Sequence, residues 1–130
     1  MKIDFSPFEQ ITTDEPLCRY LTSSSHFSQQ NNRVKYSAFM PPSNLKLSIF
    51  RIVGLEENEI WEMGKKNISD KNLHGRAEIS PMDINKAGLK IDPDNIPERH
   101  ANIIGWPDEK SARQMAAIEL ASKASLKLIK

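Results

Sequence analysis

The sequence is poor in the residues that mark several classes of small protein. It contains 1 Cys, which excludes an intramolecular disulfide framework and a Cys-Xaa-Xaa-Cys zinc site. That residue, Cys18, has apolar neighbours, and we expect a buried, unreactive thiol. A charge excess is also missing, because 18 Lys+Arg face 17 Asp+Glu in 130 residues. This balance argues against a general polyanion binder.

Long apolar runs are absent as well. No stretch approaches the roughly 18 apolar residues of a membrane-spanning helix, and Asp4 and Glu9 interrupt the N-terminal segment where a secretory signal would need an apolar core. We therefore expect a soluble, cytoplasmic protein without a membrane partner. The length predicts one domain over residues 1–130. A domain of this size buries about two-thirds of its chain surface, so its core needs no disulfide or metal.

Signature motifs of common enzymes are missing too. There is no GxGxxG, GxxxxGK[ST], HExxH or GxSxG pattern, so the usual phosphate-cradling loops, zinc helices and nucleophile elbows are not indicated. The three histidines, His26, His74 and His100, are far apart in the sequence, which gives no metal-ligand spacing. We expect neither a metal nor a cofactor.

Hydrophobic periodicity predicts several short strands. The clearest is 45–53 (LKLSIFRIV), in which Leu45, Leu47 and Ile49 share one face. A Pro-Pro-Ser-Asn loop separates it from 34–39 (VKYSAF), so the two segments are predicted to form a hairpin. The other strand-like segments are Leu17–Leu21, Arg76–Ile79, Leu89–Ile91 and His100–Ile104.

Three helices are predicted among these strands. One covers Leu55–Met63 before Gly64, and a short one begins at Ser80-Pro81, where Ser is a favourable N-cap and Pro a favourable first residue. The third covers about Glu109–Leu128 and has a broad apolar arc that includes Ile118 and Leu120. This order predicts an α+β fold: a small, mainly antiparallel sheet with short helices, covered by a long C-terminal helix.

Two histidines are the candidate catalytic residues. His100 follows the polar segment Pro97-Glu98-Arg99, and its ordinary pKa suits a general acid or base. His26 lies in the polar loop Thr22–Asn32 beside hydroxyl side chains. If the two histidines converge, Arg33 and Arg51 are the candidates to hold a phosphate.

The candidate binding residues cluster in a basic block. Residues 33–54 contain no acidic residue, and Arg33, Lys35 and Arg51 alternate there with aromatic side chains such as Tyr36. Basic strands with exposed aromatic rings are typical of single-stranded nucleic-acid binding. The next segment, 55–64, contains four glutamates, and a helix formed by it would neutralise the block if it packed there.

Trp61 and Arg99 complete the set of candidate binding residues. Trp61 lies off the apolar face of its predicted helix, which makes it a candidate exposed anchor for a protein partner. The absence of catalytic signatures and the alternating charge blocks favour a small interaction or regulatory module, one component of a larger system, with a protein partner. Two alternatives stay open: a metal-independent enzyme acting on RNA or a nucleotide, and a single-stranded nucleic-acid binder. The oligomeric state is not indicated.

Overall fold

The structure, a computed structural model, describes residues 10–68 and 72–129. Asp4 and Glu9, on which the N-terminal prediction rests, lie outside this part. Six strands form an antiparallel sheet in the order β6-β7-β4-β1-β5-β8, and β2 pairs with β3 separately. The strands are β1 Leu17–Leu21, β2 Phe27–Ser28, β3 Arg33–Val34, β4 Leu47–Arg51, β5 Gly75–Ile79, β6 Lys90–Asp92, β7 His100–Ile104 and β8 Ser125–Leu128.

Helices cover both faces of the sheet. The α-helices are α1 Glu57–Asn67, α2 Pro81–Lys86 and α3 Lys110–Lys123, and two short 3-10 helices are η1 Ser24–His26 and η2 Tyr36–Phe39. Alternation along β1 explains the layers: Leu17 and Leu21 join the apolar cluster under α3, whereas Cys18 and Tyr20 join a second cluster under α1. The predicted α+β fold with a mainly antiparallel sheet is confirmed.

The predicted cap of α2 is confirmed in detail. Ser80 is the N-cap, its hydroxyl accepts a hydrogen bond from the Asp83 backbone N–H, and Pro81 occupies the first turn. These are local preferences of a helix start, so the sequence alone was sufficient to place it. No helix within residues 10–68 and 72–129 is long and apolar enough to cross a membrane.

The C-terminal helix is shorter than predicted. It ends at Lys123, and Ser125–Leu128 forms β8, which pairs with β5. Leu128 fits the helical period from Ala124, but it also fits the alternation of period 2 from Leu126. The segment forms a strand because it pairs with the open edge of β5. This pairing satisfies backbone N–H and C=O groups of β5 that a longer helix would leave unpaired.

The predicted hairpin of residues 34–39 with 45–53 is wrong. Only Arg33–Val34 forms a strand in this segment, and Tyr36–Phe39 forms η2, which packs against α3. Strand β4 pairs instead with β1 and β7. In η2, Ala38 and Phe39 are both buried, and two consecutive buried residues fit one side of a helical turn better than a pleated strand with one covered face.

Candidate functional site

Arg51, a predicted phosphate ligand, is buried in an ion pair. Its Nε and Nη2 donate to Oε2 and Oε1 of Glu15, both at 2.8 Å, and Nη2 also donates to the Gln10 carbonyl. The side chains of Arg51 and Glu15 are each 3% exposed. A guanidinium in this bidentate arrangement is held within the fold, so we do not retain Arg51 as a surface ligand.

Arg99 also serves the fold. Its Nη1 donates to the backbone carbonyls of Arg51 at 3.1 Å and Val53 at 2.9 Å, and the residue is 2% exposed. These bonds tie the segment before β7 to the end of β4. Arg99 borders a cavity of about 370 Å³ between α1 and Pro97–Arg99, but its charged group is directed to backbone oxygens.

Trp61 is not the exposed anchor that the sequence indicated. It is half-buried, and its ring centroid lies 4.6 Å from the guanidinium carbon of Arg76. Arg76 is itself 1% exposed and donates to both carboxylate oxygens of Glu57, at 3.0 and 2.9 Å, and to Glu78 at 2.7 Å. Trp61 and these charges therefore attach α1 to β5 through a stacked cation and ion pairs.

His100 lies in a polar network on the α1 side of the sheet. Its Nδ1 is 2.7 Å from Oδ1 of Asp94, and Asn102 donates to the other carboxylate oxygen at 3.2 Å. Burial raises the pKa of Asp94, but hydrogen bonds from His100, Asn102 and the Ile96 N–H outweigh it, so this pKa lies below its ordinary value. The ionised Asp94 orients the His100 ring, which also packs edge-on against Phe50.

His26 lies elsewhere. It ends η1, which packs against η2 on the α3 side of the sheet, near Arg19 and His74. His100 pairs with Phe50 in the ladder, and Phe50 pairs with Cys18. Arg19, next to Cys18, therefore points to the opposite face from His100. The sheet separates the two histidines, and they do not form a shared acid–base pair.

Arg33, Lys35 and Tyr36 do come together at the surface. They are exposed, and they belong to β3 and the start of η2, both of which pack against α3. No salt bridge of Arg33 or Lys35 occurs within the described part of the chain. Among the predicted binding residues of the basic block, these three remain available to a partner.

The outer side of α3 carries apolar residues that the sequence analysis did not assign to a surface. Met115 is 67% exposed and Ile118 is 43% exposed. The helix buries Ala116, Ala117, Leu120 and Ala121 instead. The residues at helical spacing from this pair, Ser111 and Ser122, are also exposed and uncharged. The apolar arc in the sequence is wider than the buried face, and only the packing shows which part is left outside.

We refer to Arg33, Lys35, Tyr36, Met115 and Ile118 as the α3 surface. It combines three large exposed apolar side chains with two cations, so it is suited to bind an apolar segment with acidic neighbours. Within residues 10–68 and 72–129, no group of three or more His, Cys, Asp or Glu side chains is arranged to hold a metal ion. No family model, curated protein or solved structure matches this chain.

Proposed function

We propose that this protein is an interaction module that acts through a protein partner bound at the α3 surface. The observation that carries the proposal is the exposure of Met115, 67%, beside Ile118 on the outer side of α3. Two large apolar residues at helical spacing are exposed to water on an amphipathic helix, which is unfavourable in free energy. Such patches are typical of binding surfaces. Tyr36, 41% exposed, belongs to η2, which packs against α3, and is of a type enriched at interfaces.

The charges favour a partner with acidic residues. Arg33 and Lys35 have no salt-bridge partner within the described residues, and they lie in β3 and at the start of η2, both of which pack against α3. The best fit is an amphipathic helix of another protein that lays its apolar face on Met115 and Ile118 and directs Asp or Glu to the two cations. Such a partner would bind faster at low salt.

The internal hydrogen bonds of the buried arginines favour a protein partner over a nucleic-acid partner. Arg51, Arg76 and Arg99 are bound to carboxylates or carbonyls, so these three arginines do not face a phosphate backbone. Binding of single-stranded nucleic acid depends on a groove of such cations and on stacked rings. Among the described residues, Tyr36 is the one exposed aromatic ring close in sequence to Arg33 and Lys35.

The proposal is tested with variants of exposed residues, which leave the buried core unchanged. Partners captured by the wild type are identified, purified, and titrated against the double variant Met115→Ser/Ile118→Ser and against Lys35→Glu. We expect Kd to rise at least about tenfold for the double variant, because truncating central apolar anchors costs above 1 kcal/mol each. Lys35→Glu weakens binding and reduces its salt dependence. The control Ile96→Ser, at a position 74% exposed far along the chain, leaves Kd unchanged.

Three outcomes overturn the proposal. One is a partner whose Kd is the same for wild type and the double variant. Another is a wild-type dimer, seen by light scattering, that the double variant abolishes, because the α3 surface is then occupied by a second copy. The last is salt-dependent binding of a labelled 20-nucleotide RNA that Lys35→Glu removes, which assigns the surface to nucleic acid.

A second candidate function, acid–base catalysis at His100, is favoured by the 2.7 Å hydrogen bond to Asp94. An aspartate at Nδ1 holds the ring so that Nε2 can accept a proton. On the same face, Ser48 lies opposite Asn102 in the ladder and is exposed. Turnover of RNA oligomers and cyclic nucleotides is measured for wild type, His100→Gln and Asp94→Asn. Activity that survives His100→Gln excludes this function.

A further inference from the structure

A cavity of about 370 Å³ lies between α1 and the segment Pro97–Arg99. The α1 residues that line it recur at intervals of three and four, so they share one side of the helix. They are Asn58, Glu59, Glu62, Met63, Lys66 and Asn67. Ile60 and Gly64, on another side of α1, are buried. The volume falls within the range of small-molecule sites, about 300–1,000 Å³, so the cavity is large enough for a ligand.

Part of the cavity lining is apolar and extended. Leu55, just before α1, and Met63 line the cavity and also pack against the apolar cluster under α1, so the core supports both side chains. Pro97 adds an apolar group from the facing segment. From Asn58 to Lys66 the helix rises about 12 Å. A wall of this length and composition suits an elongated ligand with an apolar chain.

Carboxylates supply most of the charge around the cavity. Glu59, Glu62 and Glu98 all line it. Oε1 of Glu59 accepts a hydrogen bond from the Glu56 backbone N–H at 3.0 Å, so the capping box holds this carboxylate in place. Glu62 lies 3.9 Å from Lys65, but both side chains are exposed, and such a pair is weak. No salt bridge of Glu59 or Glu98 occurs within the part of the chain that the structure describes.

The cations that line the cavity do not balance this negative charge. Arg99 is buried, and its Nη1 donates to the backbone carbonyls of Arg51 and Val53. Lys66 is exposed and lies in the last turn of α1, where the helix dipole favours a cation. The lining therefore combines three carboxylates with one exposed ammonium group, and this excess of negative charge favours a cationic ligand.

The lining also distinguishes between kinds of organic cation. Quaternary ammonium groups are typically held by aromatic rings, and the described residues that line the cavity include no Phe, Tyr or Trp. Primary and secondary ammonium groups instead donate hydrogen bonds, which carboxylates and the side-chain carbonyl of Asn58 can accept. A single exposed ion pair contributes little, so a ligand needs several ammonium groups to be held.

We propose that this cavity binds a linear aliphatic polyamine. Its ammonium groups donate to the carboxylates of Glu59, Glu62 and Glu98, and its methylene chain lies along Leu55 and Met63. The site is separate from the α3 surface, because α1 and α3 pack on opposite faces of the sheet. Loss of polyamine binding therefore leaves the proposed protein partner untouched, and the two proposals fail independently.

The test is a titration of the full chain with spermidine at low ionic strength, followed by the amide shifts in NMR spectra. We expect saturable shifts that are largest in α1 and the segment 97–99, weaker binding of 1,4-diaminobutane and no saturable binding of choline. In Glu62→Gln/Glu98→Gln, Kd for spermidine rises about tenfold, because two of the three carboxylates are lost. The matched control Asp108→Asn/Glu109→Gln removes the same charge from exposed positions before α3 and leaves Kd unchanged.

Three results overturn the proposal. If Glu62→Gln/Glu98→Gln binds spermidine as tightly as the wild type, the cavity is not the site. If both double variants weaken binding equally, only the net charge of the protein attracts the polyamine. If choline binds as tightly as spermidine, the ligand is not selected by hydrogen bonds from its ammonium groups. Amide spectra of the free variants verify the fold, which the exposed positions of Glu62 and Glu98 are expected to preserve.

Discussion

Glu15 and Arg51 form a buried ion pair that joins the segment before β1 to the end of β4. Two hydrogen bonds of 2.8 Å link the two side chains, each 3% exposed. Leu17, two residues after Glu15, pairs with Arg51 in the ladder. The ion pair therefore reinforces a register that the backbone also specifies. It also removes from the surface an arginine that the basic block 33–54 would otherwise present.

Arg51→Met is expected to lower the free energy of unfolding by about 3–5 kcal/mol, because it leaves the Glu15 carboxylate buried without its counter-ion. Urea unfolding at neutral pH measures this change. The double variant Glu15→Leu/Arg51→Met is expected to lose less than the sum of the single variants. Lys46→Met, at an exposed position, is the control. A change for Arg51→Met within that of the control contradicts a structural role.

Trp61→Ala is expected to destabilise the fold by about 1–3 kcal/mol through the lost stacking on Arg76 and the lost apolar contact. Trp61→Phe keeps a ring over the guanidinium and is expected to lose less. Thermal unfolding of both variants is the measurement. If Trp61→Ala unfolds like the wild type and yet loses a protein partner, Trp61 is an interaction anchor after all.

Asp94→Asn is expected to flatten the acid dependence of stability. The pKa of Asp94 is lowered in the folded state, so its stabilising contribution is present above the ordinary Asp pKa and is lost as pH falls through the lower, folded-state pKa. Urea unfolding at pH 7 and pH 3 compares wild type with the variant. Glu57, whose pKa is lowered chiefly by its hydrogen bond from Arg76, remains as a second acid-sensitive group. An equal loss in both proteins contradicts the role of Asp94.

Gly75→Ala is expected to loosen β8. A Cβ at this position would lie 2.6 Å from the Lys127 carbonyl oxygen and 3.0 Å from the Leu128 Cα, so the two strands must separate. Overpacking against backbone typically costs about 1–3 kcal/mol. Hydrogen exchange of the β8 amides should accelerate, whereas Ser125→Ala, on the same strand, should leave it unchanged. Unchanged protection in Gly75→Ala contradicts the close pairing of β5 and β8.

Cys18 is expected to resist alkylation in the folded protein. The side chain is fully buried, and burial raises its pKa to about 12, so little thiolate is present at pH 8. Iodoacetamide labelling followed by mass spectrometry should show modification only in denaturant. Rapid labelling without denaturant would show that β1 opens, or that Cys18 is accessible.

Local pattern determined several elements. Alternation placed β1 and β7 at their observed bounds and the core of β4 within 45–53, because the period of 2 depends only on neighbouring residues. The Ser80-Pro81 start of α2 follows from capping chemistry in the same way. Burial of Cys18 also follows from its apolar neighbours.

The partners of buried side chains and the packing of the elements depend on tertiary structure. An arginine in a basic stretch looks the same whether it meets solvent or Glu15, since the partner is 36 residues away. The α+β class, the balanced charge and the amphipathic character of α3 follow from the sequence. Only the packing decided that His26 and His100 lie on opposite faces, that Ser125–Leu128 completes the sheet, and that Met115 and Ile118 stay outside, because each depends on which surfaces meet.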